Sequence, residues 1–560
     1  MPMDVNNKEM ARRIRLRGAS ARPSGARRLR GQAMVLFLVL VGVLCLGAVL
    51  MFNTGQTVQK KVHLTNTADA AAYSVAVQQA RAMNFVAYMN RGRIANEVAV
   101  AQMVSLWSWM NMYHTHAVAG QNFFFYIESL CNALSLIPGV AAICQPIARA
   151  ANLMKKGYQA AEKGLASTRA AVHPLVDGAV TMLGTWNLGL ANAADLMLAG
   201  MLVDGIKVAR DVVDKNDKNA KIPALAHGLL LNQIRKASTE SNMLDRFKKG
   251  RASEGDTRHI AGMNRYRNVV MASRDYFSAD RTSETPLPFI KLKERGGTDM
   301  VDYDRWVAVD ALDLNMKFWK LEFDISLGFG GAQAVRDVVG DGSKTPRFFE
   351  GIESGRNGAG AGWYYEGLPG NDGHPLYPQY GGATNNTAKF VEQYPSVNQP
   401  KTLPFFSPLG PTGGPNRKRD AYLSGHRGLQ DYSDINQEYA RTPEGEKAGP
   451  IFTVLVESDR KHARTSEDTE IGGPANGQLE LNNDMSGDKM RAIASAQVYF
   501  NRPPAHPWFQ RVSRQSWKDK NPTVANELEM GSLFSPYWQA RLIETPAKDY
   551  LVVLPSLAGG

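Results

Sequence analysis

His114 and His116 form an H-x-H pair. On a strand both imidazoles would share a face and could chelate a metal, whereas on a helix they point about 200° apart. The surrounding sequence reads as helix and offers no cysteine or carboxylate at ligand spacing, so both are read as surface or packing histidines. Asp324-Ile325-Ser326-Leu327-Gly328 follows the D-x-S-x-S loop of metal-dependent adhesion sites until its last position, where glycine stands instead of serine. Gly340 to Thr345 (GDGSKT) lacks the adjacent Gly-Lys of a phosphate-binding loop and reads as a turn. Glu467, Asp468 and Glu470 lie among polar turn residues, a solvated loop more than a calcium loop. No G-x-S-x-G, H-E-x-x-H, paired C-x-x-C or G-x-G-x-x-G occurs in the chain. These residues nominate no catalytic side chain, no cofactor and no metal site, and the expectation is an interaction or structural protein, not an enzyme.

At 560 residues the chain exceeds one compact core, and 21% charged with 44% hydrophobic residues is the composition of a folded protein. Of its net charge of +12, +7 lies in residues 1–32, where Lys8 and Arg12, Arg13, Arg15, Arg17, Arg22, Arg27, Arg28 and Arg30 face only Asp4 and Glu9. The arm lacks the interleaved aromatics of a stacking surface, so no nucleic-acid partner is expected. It precedes Ala33 to Phe52, 20 residues without a charge. At ~1.5 Å per residue this segment matches a ~30 Å hydrocarbon core. A basic run beside an apolar helix keeps that flank cytoplasmic and attracts anionic lipid headgroups. The pattern predicts a single-pass anchor in the lipid bilayer, N-terminus cytoplasmic and bulk outside. The long basic region, the long apolar stretch and the lack of A-x-A at its end argue against a cleaved signal. Leu44 before Cys45 does not fit a lipoprotein site, and Leu36 stands where a type IV prepilin carries glutamate.

No proline occurs between Pro23 and Pro138, so the membrane helix is expected to run on past the interface. Val58, Val62, Thr65, Ala68, Ala72, Val75, Gln79, Ala82 and Val86 then recur at three- and four-residue steps, a stripe of mainly small apolar residues suited to close helix packing. Helix is expected to about residue 236, interrupted at Gly120, at Pro138-Gly139 and near Pro174. Phe123 to Cys144 is apolar, but Glu128, Asn132 and Pro138 favour a helical hairpin turning at Pro138-Gly139 over a second crossing. Cys131 and Cys144 flank that turn and, with the orientation above, lie in an oxidising compartment, which makes them a disulfide candidate; two buried thiols are the alternative.

Beyond the helical region the pattern is mixed, with Tyr303 to Trp319 open between helix and strand. Residues 351–430 hold 15 glycines and 9 prolines, an irregular excursion whose aromatics favour an ordered surface segment over a linker. Strand signals return at Ile451 to Glu457, Ile493 to Phe500, Trp538 to Thr545 and Asp549 to Leu554. The expected architecture is α+β: a basic arm (1–32), a transmembrane helix (33–52), a helical stalk and hairpin (53–236), a mixed α/β region (237–350), a Gly/Pro-rich segment (351–430) and a small C-terminal α+β domain (431–560).

Arg30-Gly31-Gln32-Ala33 running into the apolar span, followed by Asn66-Thr67-Ala68-Asp69-Ala70-Ala71-Ala72, resembles the N-terminus of TadE/TadG-like proteins of the bacterial Flp (Tad) pilus-assembly system. Leu36, where TadE-like sequences carry glutamate, points to the TadG-like branch, and Ser74 to Gln102 and Gly531 to Thr545 are similar to longer proteobacterial members. The resemblance implies a single-pass inner-membrane protein with its bulk in the periplasm. It also implies a minor pilin-like or accessory role, with other pilus-assembly membrane proteins, pilins or further copies of the chain met through the N-terminal helix. Some relatives carry a von Willebrand A domain with its metal; Gly328 breaks that match, so neither is transferred. A membrane-tethered adhesin using residues 351–430 is the alternative function, and an envelope enzyme built from dispersed residues a further one.

Overall fold

The computed structural model describes residues 32–238, 243–279, 281, 283–287, 290–300, 303–318, 321–336, 422–436, 448–463, 465, 489–501 and 531–558. The basic arm from Arg12 to Gly31, the GDGSKT turn, the Glu467 cluster and residues 351–421 lie outside them. Two compact units divide the chain: residues 1–63 with 459–490, and residues 64–458 with 491–560.

Helix α1 (Gln32–Leu134) is unbroken for 103 residues and contributes to both units. In the first unit its apolar window is 0% buried, and it is the one described helix long and apolar enough to cross a membrane. Gly42, Gly47 and Gly55 have nothing within 4 Å of where a Cβ would stand.

In the second unit α1 turns at the expected place. Leu134 ends it, Gly139 takes φ 88°, and α2 (Ala141–Asn216) returns antiparallel. The break expected at Gly120 does not occur: a Cβ there would stand 2.3 Å from the Tyr158 ring, so the glycine lets α2 approach and leaves α1 intact. Pro174 likewise lies inside α2, as does Pro146. A proline removes one helix hydrogen bond, and here Val172, His173 and Val176 around it pack against the core, the His173 ring 5.0 Å from Trp107.

After α2 come β1 (Ala220–Lys221), α3 (Ala224–Ser238), β2 (Leu244–Phe247), α4 (Lys249–Ser253), α5 (Thr257–Ala272) and α6 (Tyr276–Ala279). Then follow β3 (Ser283–Leu287), β4 (Ile290–Met300), β5 (Trp306–Phe318) and β6 (Leu321–Ala334), an antiparallel meander. The Tyr303 to Trp319 stretch is thus mostly strand. The remaining elements are β7 (Tyr422–Leu423), β8 (Tyr432–Ile435), β9 (Ala448–Asp459), β10 (Lys489–Phe500), β11 (Trp538–Ile543) and the terminal α7 (Ala547–Ala558). Among the described residues three sheets result, ordered β3-β4-β5-β6-β7, β2-β8 and β1-β9-β10-β11. The architecture is α+β. Asp549 to Leu554, expected as strand, is helix: Asp549 lies in the first turn, where a carboxylate suits the helix dipole, and its Oδ2 accepts from Thr453 and Gln233.

Glycines on β6 set the sheet against α1. A Cβ at Gly330 would stand 2.0 Å from the Ser108 carbonyl oxygen, and one at Gly328 2.9 Å from that of Met112, so only glycine allows strand and helix backbones to meet there. Trp107, Trp306, Tyr266 and Tyr432 are the large buried rings of the core that forms around this contact.

Candidate functional site

The small-residue stripe divides at the boundary between the units. Val58 and Val62 are 55% and 53% exposed, while Ala68, Ala72, Val75, Gln79 and Val86 are wholly buried. Gln79 Nε2 donates to the Met201 carbonyl of α2 at 3.3 Å, and Gly205 passes close beside it. Helix packing by this stripe was expected with partner proteins; from Ala68 onward the chain's own fold occupies it. Of the motif residues, Gln32 and Ala33 open α1, Asn66 is exposed, Ala68 and Ala71 are buried, and Asp69 and Ala70 are half-buried. Burial raises the Asp69 pKa.

Further along α1, Asn84, Asn90, Arg93, Glu97, Ser105 and Trp109 form a polar face that holds distant parts of the chain. Asn84 donates to the Trp538 carbonyl and accepts from the Trp538 amide, both at 2.9 Å, which reads a strand backbone with one amide side chain. Asn90 donates to the Leu533 carbonyl at 2.8 Å. The two stretches singled out by resemblance, Ser74 to Gln102 and Gly531 to Thr545, therefore dock on each other across more than 400 residues of sequence. Arg93 donates to the carbonyls of Gln430 and Asp431 and lies over the Tyr266 ring at 5.2 Å. Ser105 shares a 2.7 Å hydrogen bond with Thr298, which also accepts from Arg281; Arg281 in turn pairs with Asp310 at 2.6 Å.

The centre of this face is a buried ion pair that sequence reading missed. Glu97 is 1% exposed and His426 0%, with Oε2 and Nε2 2.9 Å apart. Asn187 of α2 donates to Oε1, and Trp306 of β5 donates to Oε2. His426 Nδ1 lies 2.9 Å from the Asp304 carbonyl, which can only accept, so that nitrogen carries a proton. Burial pushes the Glu97 carboxyl up, but the imidazolium and the three hydrogen bonds outweigh it and hold the group below the ordinary value. Burial alone would lower His426; the carboxylate and the Asp304 carbonyl reverse that and raise it. The pair is charged on both sides, and each polar atom is spent on a protein partner. Such an arrangement ties α1, α2, β5 and the Tyr422 to Asn436 segment together. Residues 422–430 belong to this node, although their composition groups them with the Gly/Pro-rich stretch.

His114 and His116 sit on α1 and serve different neighbours. His114 Nδ1 accepts from Arg169 of α2, and His116 Nδ1 meets the Leu327 carbonyl of β6 at 3.3 Å. That carbonyl belongs to a β-bulge, where Leu312 faces Gly328 and Asp313 faces Ser326. The stretch Asp324 to Gly328 is accordingly strand, not a metal-binding loop. Among the described residues no group of three or more His, Cys, Asp or Glu could hold a metal ion. Cys131 and Cys144 meet across the hairpin in one buried cluster with Ala148, as free thiols. Burial and the neighbouring Cys144 push the Cys131 thiol up.

Fold and site together define an α+β protein with one N-terminal helix long and apolar enough to cross a membrane and a buried Glu97–His426 pair bonded within its own core. Residues 31–79 match the model of the Flp pilus-assembly TadE/G-like family, Tad, which takes in every motif residue named above except Arg30. No curated protein and no solved structure matches the chain.

Proposed function

We propose that this protein is a non-enzymatic component of Flp pilus assembly, of the TadG-like kind, held by one helix in the inner membrane with its N-terminus cytoplasmic and its bulk periplasmic. It acts as a minor pilin-like or accessory protein, and its partners are other assembly proteins, pilins or further copies of itself. The observation that carries this reading is the division of α1: residues 33–63 are largely exposed and apolar, while the helix from Leu64 is built into the chain's own core. Partner helices are therefore met through residues 33–63, where Gly42 and Gly47 present backbone with nothing against it. Small residues of this kind let membrane helices approach closely.

The test is piliation. Loss of the gene should abolish or strongly reduce Flp pili, and G42L/G47L should do the same while the protein still inserts in the membrane. Normal piliation in the deletion strain would overturn the reading. Normal piliation with G42L/G47L alone would remove the helix contact but keep the role.

A further inference from the structure

The tip of the α1–α2 hairpin carries an apolar surface that the proposed pilus role does not use. Between Glu128 and Arg149 lie 20 residues without an ionisable acid or base other than the two cysteines. Leu130, Leu134, Leu136, Ile137, Ile143 and Ile147 are 60%, 37%, 85%, 50%, 67% and 44% exposed. Water is a poor surrounding for six such side chains on one protrusion, because contiguous exposed apolar surface marks a contact.

Three further observations point to what covers it. The turn closes part of its backbone on itself: the amides of Ser135, Leu136, Ile137 and Val140 donate to Cys131, Ala133, Leu134 and Ile137, Ser135 Oγ donates to the Cys131 carbonyl, and Pro138 has no amide to donate. Each bond closed within the turn lowers the cost of leaving water. Behind the tip stands a collar of cations and aromatics. Arg149 and Lys156 are exposed, Lys155 lies 5.6 Å from the Phe125 ring, and the acid at this level, Glu128, is paired with Lys155 and accepts from Asn152 at 2.6 Å. Finally, the uncharged cap comprises residues 129–134 of α1 and 141–148 of α2. At ~1.5 Å per residue these are about 9 and 12 Å of helix, less than half of a ~30 Å hydrocarbon core. The cap is deep enough for one leaflet and too short to cross.

We propose that the hairpin tip, residues 129–148, inserts into one leaflet of an anionic lipid surface, with Arg149 and Lys156 meeting the headgroup phosphates. The tip is thus a second membrane contact, separate from the span at residues 33–52. Apolar insertion supplies most of the attraction, and the basic collar adds a salt-sensitive share.

Capture of a second membrane tests this with the full chain. Dense proteoliposomes carrying the protein are mixed with light, dye-labelled vesicles of phosphatidylethanolamine and phosphatidylglycerol, then sedimented. Wild type should pull down the light vesicles. L136E/I143E should weaken capture by roughly a hundredfold, since each lost apolar contact is worth about a factor of ten or more. R149E/K156E should weaken it less and remove its salt dependence. L551E, on the exposed Leu551 of α7, should leave capture unchanged. No capture by wild type overturns the proposal, as does equal loss with L551E. Proteoliposomes that clump with each other while ignoring the light vesicles would show that a second copy covers the tip, which also overturns it.

Discussion

Two stretches of one helix invert each other. From Met34 to Phe52 the large apolar residues of α1, Val41 and Val49 apart, are at least half exposed, and the segment meets no distant part of the chain through a described side-chain hydrogen bond. From Leu64 to Trp109 the apolar residues are mostly buried, and so are Gln79, Asn90, Arg93, Glu97 and Ser105, each with partners far away in sequence. The backbone is the same α-helix in both, so the environment makes the difference. Exposed apolar side chains with no polar partners fit a lipid surrounding, whereas buried polar side chains bonded to distant parts of the chain are how a long helix organises a protein around itself.

The strongest way to break this contrast is at Glu97. Removing the carboxylate leaves His426 buried and unpaired, so E97A should lower stability of the detergent-solubilised chain by about 3–5 kcal/mol in denaturant unfolding. The double variant E97A/H426A should recover part of that loss; strict additivity of the two would show that the pair is not coupled. Next in size, closing a Cys131–Cys144 disulfide should stabilise the hairpin by about 3 kcal/mol over the reduced chain. Alkylation of protein taken directly from the envelope, read by mass spectrometry, shows whether the cell closes it. N84A should cost about 1–3 kcal/mol, because the Trp538 amide and carbonyl both lose their partner. An unchanged midpoint would mean that water replaces the side chain and that the two stretches are held by packing alone.

Acidity probes the same node. His426 is raised, so its contribution is complete below about pH 6.5 and fades as pH climbs through its folded value; Glu97 is lowered, so its contribution is complete above about pH 4.5 and fades as pH falls through its folded value. The pair therefore stabilises most between about pH 4.5 and 6.5. In E97Q the buried imidazole would be neutral, and stability should instead rise from about pH 5 to 8. At the small end, V62T should shift stability by no more than ~0.5 kcal/mol, against about 1–2 kcal/mol or more for V75T in the buried half of the stripe.

The apolar span, the Pro138-Gly139 turn and the strands β9, β10 and β11 were legible because each rests on local signals: a charge-free run, a proline-glycine step, alternation of side chains; the β3 to β6 meander was not. Asp549 to Leu554 was misread for the same reason. A short apolar run looks alike in strand and helix, and the choice was made by Asp549 bonding to Thr453. Glu97 and His426 were illegible because the node draws on four parts of the chain 90 to 329 residues apart. Asn187, Trp306 and His426 are each unremarkable in their own neighbourhood. Gly120 and Gly328 read as a breaker and a failed metal loop, when each in fact makes room for a neighbouring element, as Gly330 also does. The adhesin alternative also needs a sharper deletion than composition indicates: removing residues 351–421 tests it, whereas extending to 430 would take His426 out of the core.

The central claim, one helix in the membrane and everything after it outside the cytoplasm, is met most directly by protease added to intact spheroplasts of cells expressing the chain with a C-terminal tag. The account predicts that the tag is digested, while a tag on the N-terminal arm survives until the membrane is opened. A C-terminal tag that resists protease in intact spheroplasts would contradict it.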